Sequence, residues 1–258
     1  MRRPSAFLLI ALGATPAFAD GPSQSPIATD RPAVTDSSIV VPVGTLQVEN
    51  GFSDTVSQGQ RVIDGPETWL RLGVLSKTEL RLIVPDYFGA TTAGVSAGFG
   101  DLAVGVKQQL GPAPGGFDVS LIVALSLPSG ARGITSSGYD PFVQLPWSRA
   151  LSPNWTAAGM LSVYWPTQDG LRNVTGETTF LFDRQLTRPW DTFVEYAGDF
   201  PQQGGPRHLL HVGAAYKIGL NQQIDFHFGV GLSSAAPDHF VAAGYSFRVQ
   251  VFSSPLIR

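Results

Sequence analysis

Apolar and polar residues alternate with a period of two along most of this chain. In the clearest run, 117–127, every second residue from Phe117 to Leu127 is apolar. A second run, 224–233, places an apolar row from Ile224 to Leu232 opposite a row of polar residues and glycines. A third run covers 245–251. This alternation indicates β-strands with one apolar face, and a strand of 9–11 residues is long enough to cross a bilayer when tilted.

The same pattern recurs in about twelve segments of roughly nine to twelve residues each. They begin near Thr45, Glu67, Glu79, Phe99, Phe117, Pro141, Trp155, Val174, Trp190, Arg207, Ile224 and His239. Every second connection is short, at 76–77, 111–116, 152–154, 187–189 and 219–222, and longer or glycine-rich connections lie between these. Short turns on one side and long loops on the other are typical of outer-membrane barrels, with the short turns in the periplasm. We therefore predict an all-β fold, an antiparallel transmembrane outer-membrane β-barrel over residues 45–252.

The residues outside the barrel divide into three parts. Residues 1–19 have the charged start, apolar stretch and Ala17-Phe18-Ala19 site of a cleaved signal peptide. Residues 20–44 form a predicted periplasmic N-terminal segment that either docks in the periplasm or plugs the lumen, and its polar, proline-rich composition favours docking or disorder. Residues 253–258 form a short C-terminal tail after the last strand.

The charged residues of most segments lie on the face opposite the apolar row. They are Glu49, Arg71, Arg81, Lys107, Asp118, Glu177, Glu195, Arg207, Lys217, Asp225 and Arg248. A charge that faces lipid at mid-depth costs about 2 to 4 kcal/mol, whereas a polar lumen accommodates it. Aromatic residues near the segment ends favour interfacial girdles, at Phe52, Trp69, Tyr87, Phe99, Phe117, Trp147, Trp155, Trp165, Trp190 and Phe240. A soluble sandwich also separates charge from apolar residues, so only the combination with loop lengths favours a membrane barrel.

Composition excludes several kinds of functional site and partner. The chain has no cysteine, which excludes disulfides and thiolate sites. Its formal net charge is −3 and it has no basic block, so we expect no nucleic-acid partner. The spacing of His208 and His211 projects them to opposite faces of a strand, and we expect neither a metal nor any other cofactor.

Several short motifs together resemble the outer-membrane transporter family named for the MetA-pathway of phenol degradation. The motifs are Thr29-Asp30-Arg31-Pro32; Gly100-Asp101-Leu102 with Gly105 and Lys107; Ser126-Leu127-Pro128-Ser129-Gly130; Phe193-Val194-Glu195-Tyr196; and Ala236-Pro237-Asp238 with Phe240, Gly244 and Arg248. The resemblance implies a barrel and transport of small, including aromatic, molecules. We therefore expect an outer-membrane channel or transporter whose partners are outer-membrane lipid, a small-molecule solute and the barrel assembly machinery.

Charged residues on the predicted inner face are candidates for the solute path. They are Asp191, Glu195, Arg207, His211, Asp225, His227 and Arg248, with Asp238 as a candidate in an outer loop. Two interpretations remain open: a constriction that selects solutes or salt bridges that brace a narrow barrel. A lipid hydrolase using His239, Asp238 and Ser233 or Ser234 is a weaker alternative, because no nucleophile-elbow motif surrounds either serine. A structural barrel without transport is the other alternative, and we do not expect an enzyme.

Overall fold

The structure is a computed structural model that describes residues 25–90 and 97–252. The predicted signal peptide and the predicted C-terminal tail lie outside these residues. Among the described residues, no helix is long and apolar enough to span a membrane. All of the regular elements described are β-strands.

The strands follow one another along the chain as antiparallel neighbours. They are β1 (Thr45–Ser57), β2 (Gln60–Gly65), β3 (Trp69–Leu75), β4 (Thr78–Ile83), β5 (Tyr87–Ala90), β6 (Gly98–Phe99), β7 (Leu102–Gln109), β8 (Phe117–Leu127), β9 (Asp140–Ser152), β10 (Trp155–Tyr164), β11 (Thr167–Gln168), β12 (Leu171–Arg172), β13 (Thr175–Gln185), β14 (Trp190–Pro201), β15 (Arg207–Ile218), β16 (Gln222–Gly231) and β17 (His239–Gln250). Pairing of β17 with β1, from Thr45–Gln250 to Val56–His239, closes the sheet into a barrel.

The described strands occupy twelve positions around the barrel. Strands β2 and β3 lie end to end and both pair with β1. In the same way, β4 and β5 share one position in the barrel, and β6 and β7 share the next. Strands β11 and β12 form a separate hairpin. The predicted closed, antiparallel, all-β architecture is confirmed. The predicted start of the second segment near Glu67 is wrong, because the chain already re-enters the sheet at Gln60 and Pro66 then interrupts the ladder.

The two ends of the barrel differ in their connections. At one end, which we call the turn end, the connections are short and lie where the sequence predicts them, at 76–77, 110–116, 153–154, 186–189 and 219–221. At the other, the loop end, the connections are longer, except for the tight turn at Gln58 and Gly59 between β1 and β2. Asp101 holds the loop after β8 in place by accepting hydrogen bonds from Gly130 N at 2.8 Å and Ser136 N at 3.0 Å.

The apolar rows face outward, as the alternation predicts. Val123 is 50% exposed and Phe226 is 57% exposed on the outer surface, whereas Ile122 is 1% exposed on the lumen side of β8. Large apolar side chains exposed on the outside of a closed barrel are stable only against lipid. The barrel therefore has the outer surface of a protein of the cell outer membrane.

Aromatic residues lie at both ends of this surface, with two exceptions. Trp155 and Trp190 are half-exposed at the turn end, and Tyr87 contacts Phe99 edge-on at 5.2 Å at the loop end. The expectation is wrong for Trp69 and Phe240, which line a cavity inside the barrel. Both follow the alternation of their own strands, which places them on the lumen face.

Candidate functional site

The N-terminal segment lies inside the barrel lumen. We call residues 25–44, which precede β1, the plug. It is fastened near the turn end at two points: Ile27 N donates to Leu220 O at 2.8 Å, and Val41 N donates to Glu79 Oε2 at 2.8 Å. Ile27 and Val41 are each 2% exposed. The sequence analysis favoured docking in the periplasm or disorder, and the contacts instead show the lumen placement that it gave as the alternative.

Asp30 fastens the plug to strands β3, β4 and β7. Its Oδ1 lies 3.1 Å from both Arg71 NH1 and Lys107 Nζ. Its Oδ2 lies 2.8 Å from Arg81 NH2. All four side chains are at most 4% exposed. We call Asp30, Arg71, Arg81 and Lys107 the anchor cluster.

Asp30 completes the charge balance of this part of the wall. The three cations of the anchor cluster contact two wall carboxylates, Glu49 and Glu79, so the wall alone keeps one positive charge in excess. Burial by itself raises the pKa of Asp30, but the three cations outweigh burial and hold the pKa below its usual range. Breaking a buried ion pair leaves an uncompensated charge. Docking of the plug therefore depends strongly on Asp30.

Arg31 lies across the seam where the first and last strands meet. Its guanidinium pairs with Glu67 and lies 3.2 Å from Asp225 Oδ1. It also covers Gly51 of β1 and Gly244 of β17, which are direct partners in the ladder. A Cβ at either glycine would overlap the guanidinium. The glycine pair thus provides the space in which Arg31 lies flat against the wall.

Glu195 and two histidines hold the plug from the opposite wall. Glu195 accepts hydrogen bonds from Val34 N and Thr35 N, each at 2.8 Å. His211 Nδ1 lies 2.9 Å from Glu195 Oε2, and His211 Nε2 lies 2.7 Å from His227 Nδ1. Three of the predicted lumen residues therefore form one hydrogen-bonded chain that ends on the plug backbone.

Asp36 is a second buried carboxyl group of the plug, and its surroundings are less favourable than those of Asp30. It is 5% exposed, and its nearest cation is Arg81, whose NH2 lies 3.3 Å from Oδ2. Burial raises the pKa of Asp36 to about 6, against the attraction of Arg81 and with the repulsion of Asp30. The ionised form of Asp36 therefore opposes docking, in contrast to the ionised form of Asp30.

Cavities lie on both sides of the plug. The outer cavity, of about 390 Å³, lies between the plug and wall residues that include Trp69, Tyr164 and Phe240. The inner cavity, of about 470 Å³, extends to Asp183 and Asp191. Plug residues Asp30, Arg31, Pro32, Ala33 and Asp36 line both cavities. The plug is therefore the partition between them.

A third cavity lies at the loop end. This entrance cavity, of about 490 Å³, is lined by residues that include Asp199, Arg207 and Pro201. Tyr164 and Glu177 line both the entrance cavity and the outer cavity. The entrance cavity and the outer cavity therefore adjoin each other at these two side chains.

The remaining predicted lumen residues lie away from the Glu195 chain. Asp191 pairs with Lys217 near the turn end. Arg207 lies 3.0 Å from Asp199 at the loop end. Arg248 donates to Asn221 Oδ1 at 2.9 Å beside the turn after β15. Asp191, Glu195, Arg207 and His211 therefore do not form one cluster, because the antiparallel register puts Asp191 and Arg207 at opposite ends of the barrel.

Asp238 and Ser233 form hydrogen bonds with backbone groups at the loop end. Asp238 Oδ2 accepts a hydrogen bond from Gln58 N at 3.0 Å, which ties the last loop to the β1–β2 turn. Ser233 Oγ accepts from His208 N at 3.0 Å and donates to Pro206 O at 2.9 Å. Neither contact places Ser233, Asp238 and His239 in a catalytic relay. Within the described parts of the chain, no group of three or more His, Asp or Glu side chains is arranged to hold a metal ion.

Sequence reasoning missed the anchor cluster. It placed Arg71, Arg81 and Lys107 on the lumen face and took Asp30 from the family motif, but it did not connect them. The available signal was charge: β3, β4 and β7 bring three buried cations together, and buried charge requires a partner. Asp30 lies in the polar segment just before β1, within reach of that wall.

Comparison with known proteins agrees with this architecture. An outer-membrane channel from Pseudomonas putida F1 is 11% identical, with a TM-score of 0.61 over 82% of this chain and 98% of that chain. The NanC porin (9% identity, TM-score 0.57, 78% and 98% covered) and the KdgM porin (11%, 0.54, 78% and 98%) are also similar. At these identities the similarity concerns the fold. No curated protein sequence matches the chain.

The family model described as "Putative MetA-pathway of phenol degradation" matches residues 29–249. The match begins at Thr29 in the plug and ends in β17, so it includes both the barrel and the segment inside it. The resemblance carried by the sequence motifs is thus confirmed, and the chain belongs to this phenol-degradation family of outer-membrane β-barrels.

Proposed function

We propose that the protein is an outer-membrane channel for small solutes, aromatic compounds among them. The observation that carries the proposal is the succession of cavities from the loop end to the turn end, which the plug divides. A polar lumen accommodates hydrated solutes, whereas the outer apolar surface holds the barrel in lipid. In this interpretation the plug determines when the path is continuous.

Two comparisons support the proposal. The similar solved structures are a channel and two porins, which favours transport over catalysis. The family description refers to phenol degradation, which favours aromatic solutes. The contacts of Ser233 and Asp238 with loop backbone groups offer no support for hydrolysis.

The surroundings of the barrel follow from the same proposal. Lipid covers the outward apolar side chains, and the barrel assembly machinery inserts the chain after cleavage at Ala19. Closure between β1 and β17 completes insertion, because a closed barrel leaves no unpaired strand edge in lipid.

Conductance of the purified mature protein in planar bilayers tests the proposal. We expect small, stepwise currents from the wild-type channel and larger ones from Asp30→Asn, in which the plug loses its anchor. Asp191→Asn is the matched control, because Asp191 also pairs with a cation at the lumen wall but lies outside the plug. Liposome swelling in catechol or phenol then measures solute passage. Folded barrels of both wild type and Asp30→Asn that carry neither current nor solute would refute transport.

A further inference from the structure

We propose that the outer cavity is a binding site for a monoaromatic solute that carries hydroxyl or ammonium donors, and that it rejects aromatic carboxylates. The inference rests on the proposed channel function, since the cavity lies on the path from the loop end to the plug. It names the class of solute and the residues that select it.

Aromatic side chains from separate parts of the wall supply the apolar surface of this site. Trp69 lies beneath the guanidinium of Arg81, whose Cζ is 4.8 Å from the ring centroid. Tyr164 stacks on Phe142 at 5.5 Å. Phe240 meets the His211 ring at 5.2 Å. These contacts fix the rings in place, and a cavity of about 390 Å³ is of the size that small-molecule sites commonly have.

The ionisable side chains of the cavity are predominantly acidic. Asp36, Glu67, Asp86 and Glu177 line it, together with the anchored Asp30. Arg31 supplies the positive charge of this lining, and its guanidinium is already paired with Glu67 and Asp225. A carboxylate solute would therefore lose water beside several acidic side chains and an arginine that is already paired, and a buried charge without a partner is unfavourable. A neutral or cationic solute with hydrogen-bond donors avoids that cost, because the acidic side chains can accept its hydrogen bonds.

The carboxylates also provide hydrogen-bond acceptors. Asp86 Oδ1 is buried and has no hydrogen-bond partner among the described residues. Glu177 Oε1 accepts hydrogen bonds from Tyr164 Oη and Ser162 Oγ, each at 3.0 Å, which fixes its carboxylate beside the cavity. A buried acceptor without a donor is unfavourable. A hydroxyl or ammonium group on the solute would donate to Glu177, and to Asp86 once its carboxyl group turns toward the cavity.

Calorimetric titration of the refolded full-length mature protein in detergent tests the site with three probes of similar size. Catechol carries neutral donors, tyramine carries a hydroxyl and an ammonium group, and benzoate is an anion. We expect catechol and tyramine to bind at least about tenfold more tightly than benzoate. Benzoate binding as tight as that of catechol would overturn the proposal, and so would the absence of binding by all three.

Two substitutions on one strand locate the selectivity. Glu177 and Asp183 both point inward from β13, but Glu177 lines the outer cavity and Asp183 the inner one. Glu177→Gln should weaken tyramine binding about tenfold while changing benzoate binding little. Asp183→Asn should leave both unchanged. An equal effect of the two variants, or no effect of Glu177→Gln, would place recognition elsewhere and overturn the assignment.

This experiment separates the site from the channel. Titration measures binding without any passage through the membrane. Conductance and catechol flux without catechol binding would refute the site and leave transport standing. Binding to a folded barrel that passes neither ions nor catechol would refute transport and leave the site standing.

Discussion

Asp30 and Asp36, two buried aspartates of the plug, should respond in opposite directions to the same substitution. Asp30 is held by three cations, which keep its pKa below the usual range despite burial. Burial raises the pKa of Asp36 to about 6, because the attraction of Arg81, Lys107 and Arg71 does not offset burial together with the repulsion of Asp30. Replacement by asparagine removes a needed charge at the first position and an unfavourable one at the second.

The expected magnitudes follow from these surroundings. Removing one partner of a buried ion pair costs about 3 to 5 kcal/mol, so Asp30→Asn should increase the undocked fraction of the plug by roughly two to four orders of magnitude. The pKa shift of Asp36 from 3.8 to about 6 corresponds to about 3 kcal/mol at pH 7. That figure already includes the attraction of Arg81, and it is an upper limit for the gain from Asp36→Asn because the asparagine amide must also be buried. We expect a gain of about 1 kcal/mol.

Cysteine labelling measures docking directly, because the chain contains no cysteine of its own. Val40 of the plug is 8% exposed, so a cysteine at this position should react with a maleimide only when the plug leaves the wall. In the Val40→Cys background, Asp30→Asn should react faster than the parent and Asp36→Asn more slowly. Heat-modified migration on SDS gels confirms in each case that the barrel is folded.

The result that would refute this reasoning is specific. If both aspartate variants label at the parental rate while the barrel stays folded, the anchor cluster does not hold the plug. If both label faster, the opposite signs assigned to the two carboxyl groups are wrong. Planar-bilayer conductance of the same variants provides a second readout that needs no label.

Three other predictions concern the seam, the lipid face and pH. Gly244→Val should displace Arg31 and raise the Val40→Cys labelling rate, and labelling at the parental rate would contradict the close approach seen at the seam. Val123→Arg should destabilise the inserted barrel by about 2 to 4 kcal/mol, whereas Leu151→Arg near the turn end should cost at most about 1 kcal/mol. Denaturant unfolding in lipid vesicles compares the two variants. Equal losses would mean that Val123 does not lie deeper in the bilayer than Leu151. Lowering the pH from 7 to 5 should slow labelling of the parent more than that of Asp36→Asn, because a carboxyl group with a raised pKa takes up its proton more readily in the docked state. Identical pH profiles would exclude Asp36 as the titrating group.

The barrel could be predicted from the sequence because its evidence is local. Alternation alone assigns Val123 and Phe226 to the outer face, and both are exposed there. Where the prediction failed, the local signal was weak or was applied inconsistently. Strand β2 (Gln60–Gly65) is mostly polar and has no apolar row, and Pro66 follows it directly. Trp69 lies two residues before Arg71, so the alternation of its strand places it inside the barrel and not in a girdle.

The plug could not be predicted in this way. Residues 25–44 show no periodicity, and their position depends on partners far along the chain. Asp30 contacts Lys107, and Thr35 contacts Glu195. Each wall residue taken alone is simply an inward-facing charged residue of its strand, which any polar lumen accommodates. Only the closed barrel brings these wall residues around one segment. Their excess positive charge then requires an acidic partner inside the lumen.

The position of Arg31 also has a consequence for the order of folding. Its binding surface combines Gly51 of β1, Gly244 of β17 and Asp225 of β16, from opposite ends of the barrel sequence. That surface does not exist until the first and last strands have paired. The N-terminal segment emerges first during synthesis, yet it can reach its final place only after the C-terminal strand has arrived. Occupation of the lumen by Arg31 is therefore a late folding event that reports completed closure.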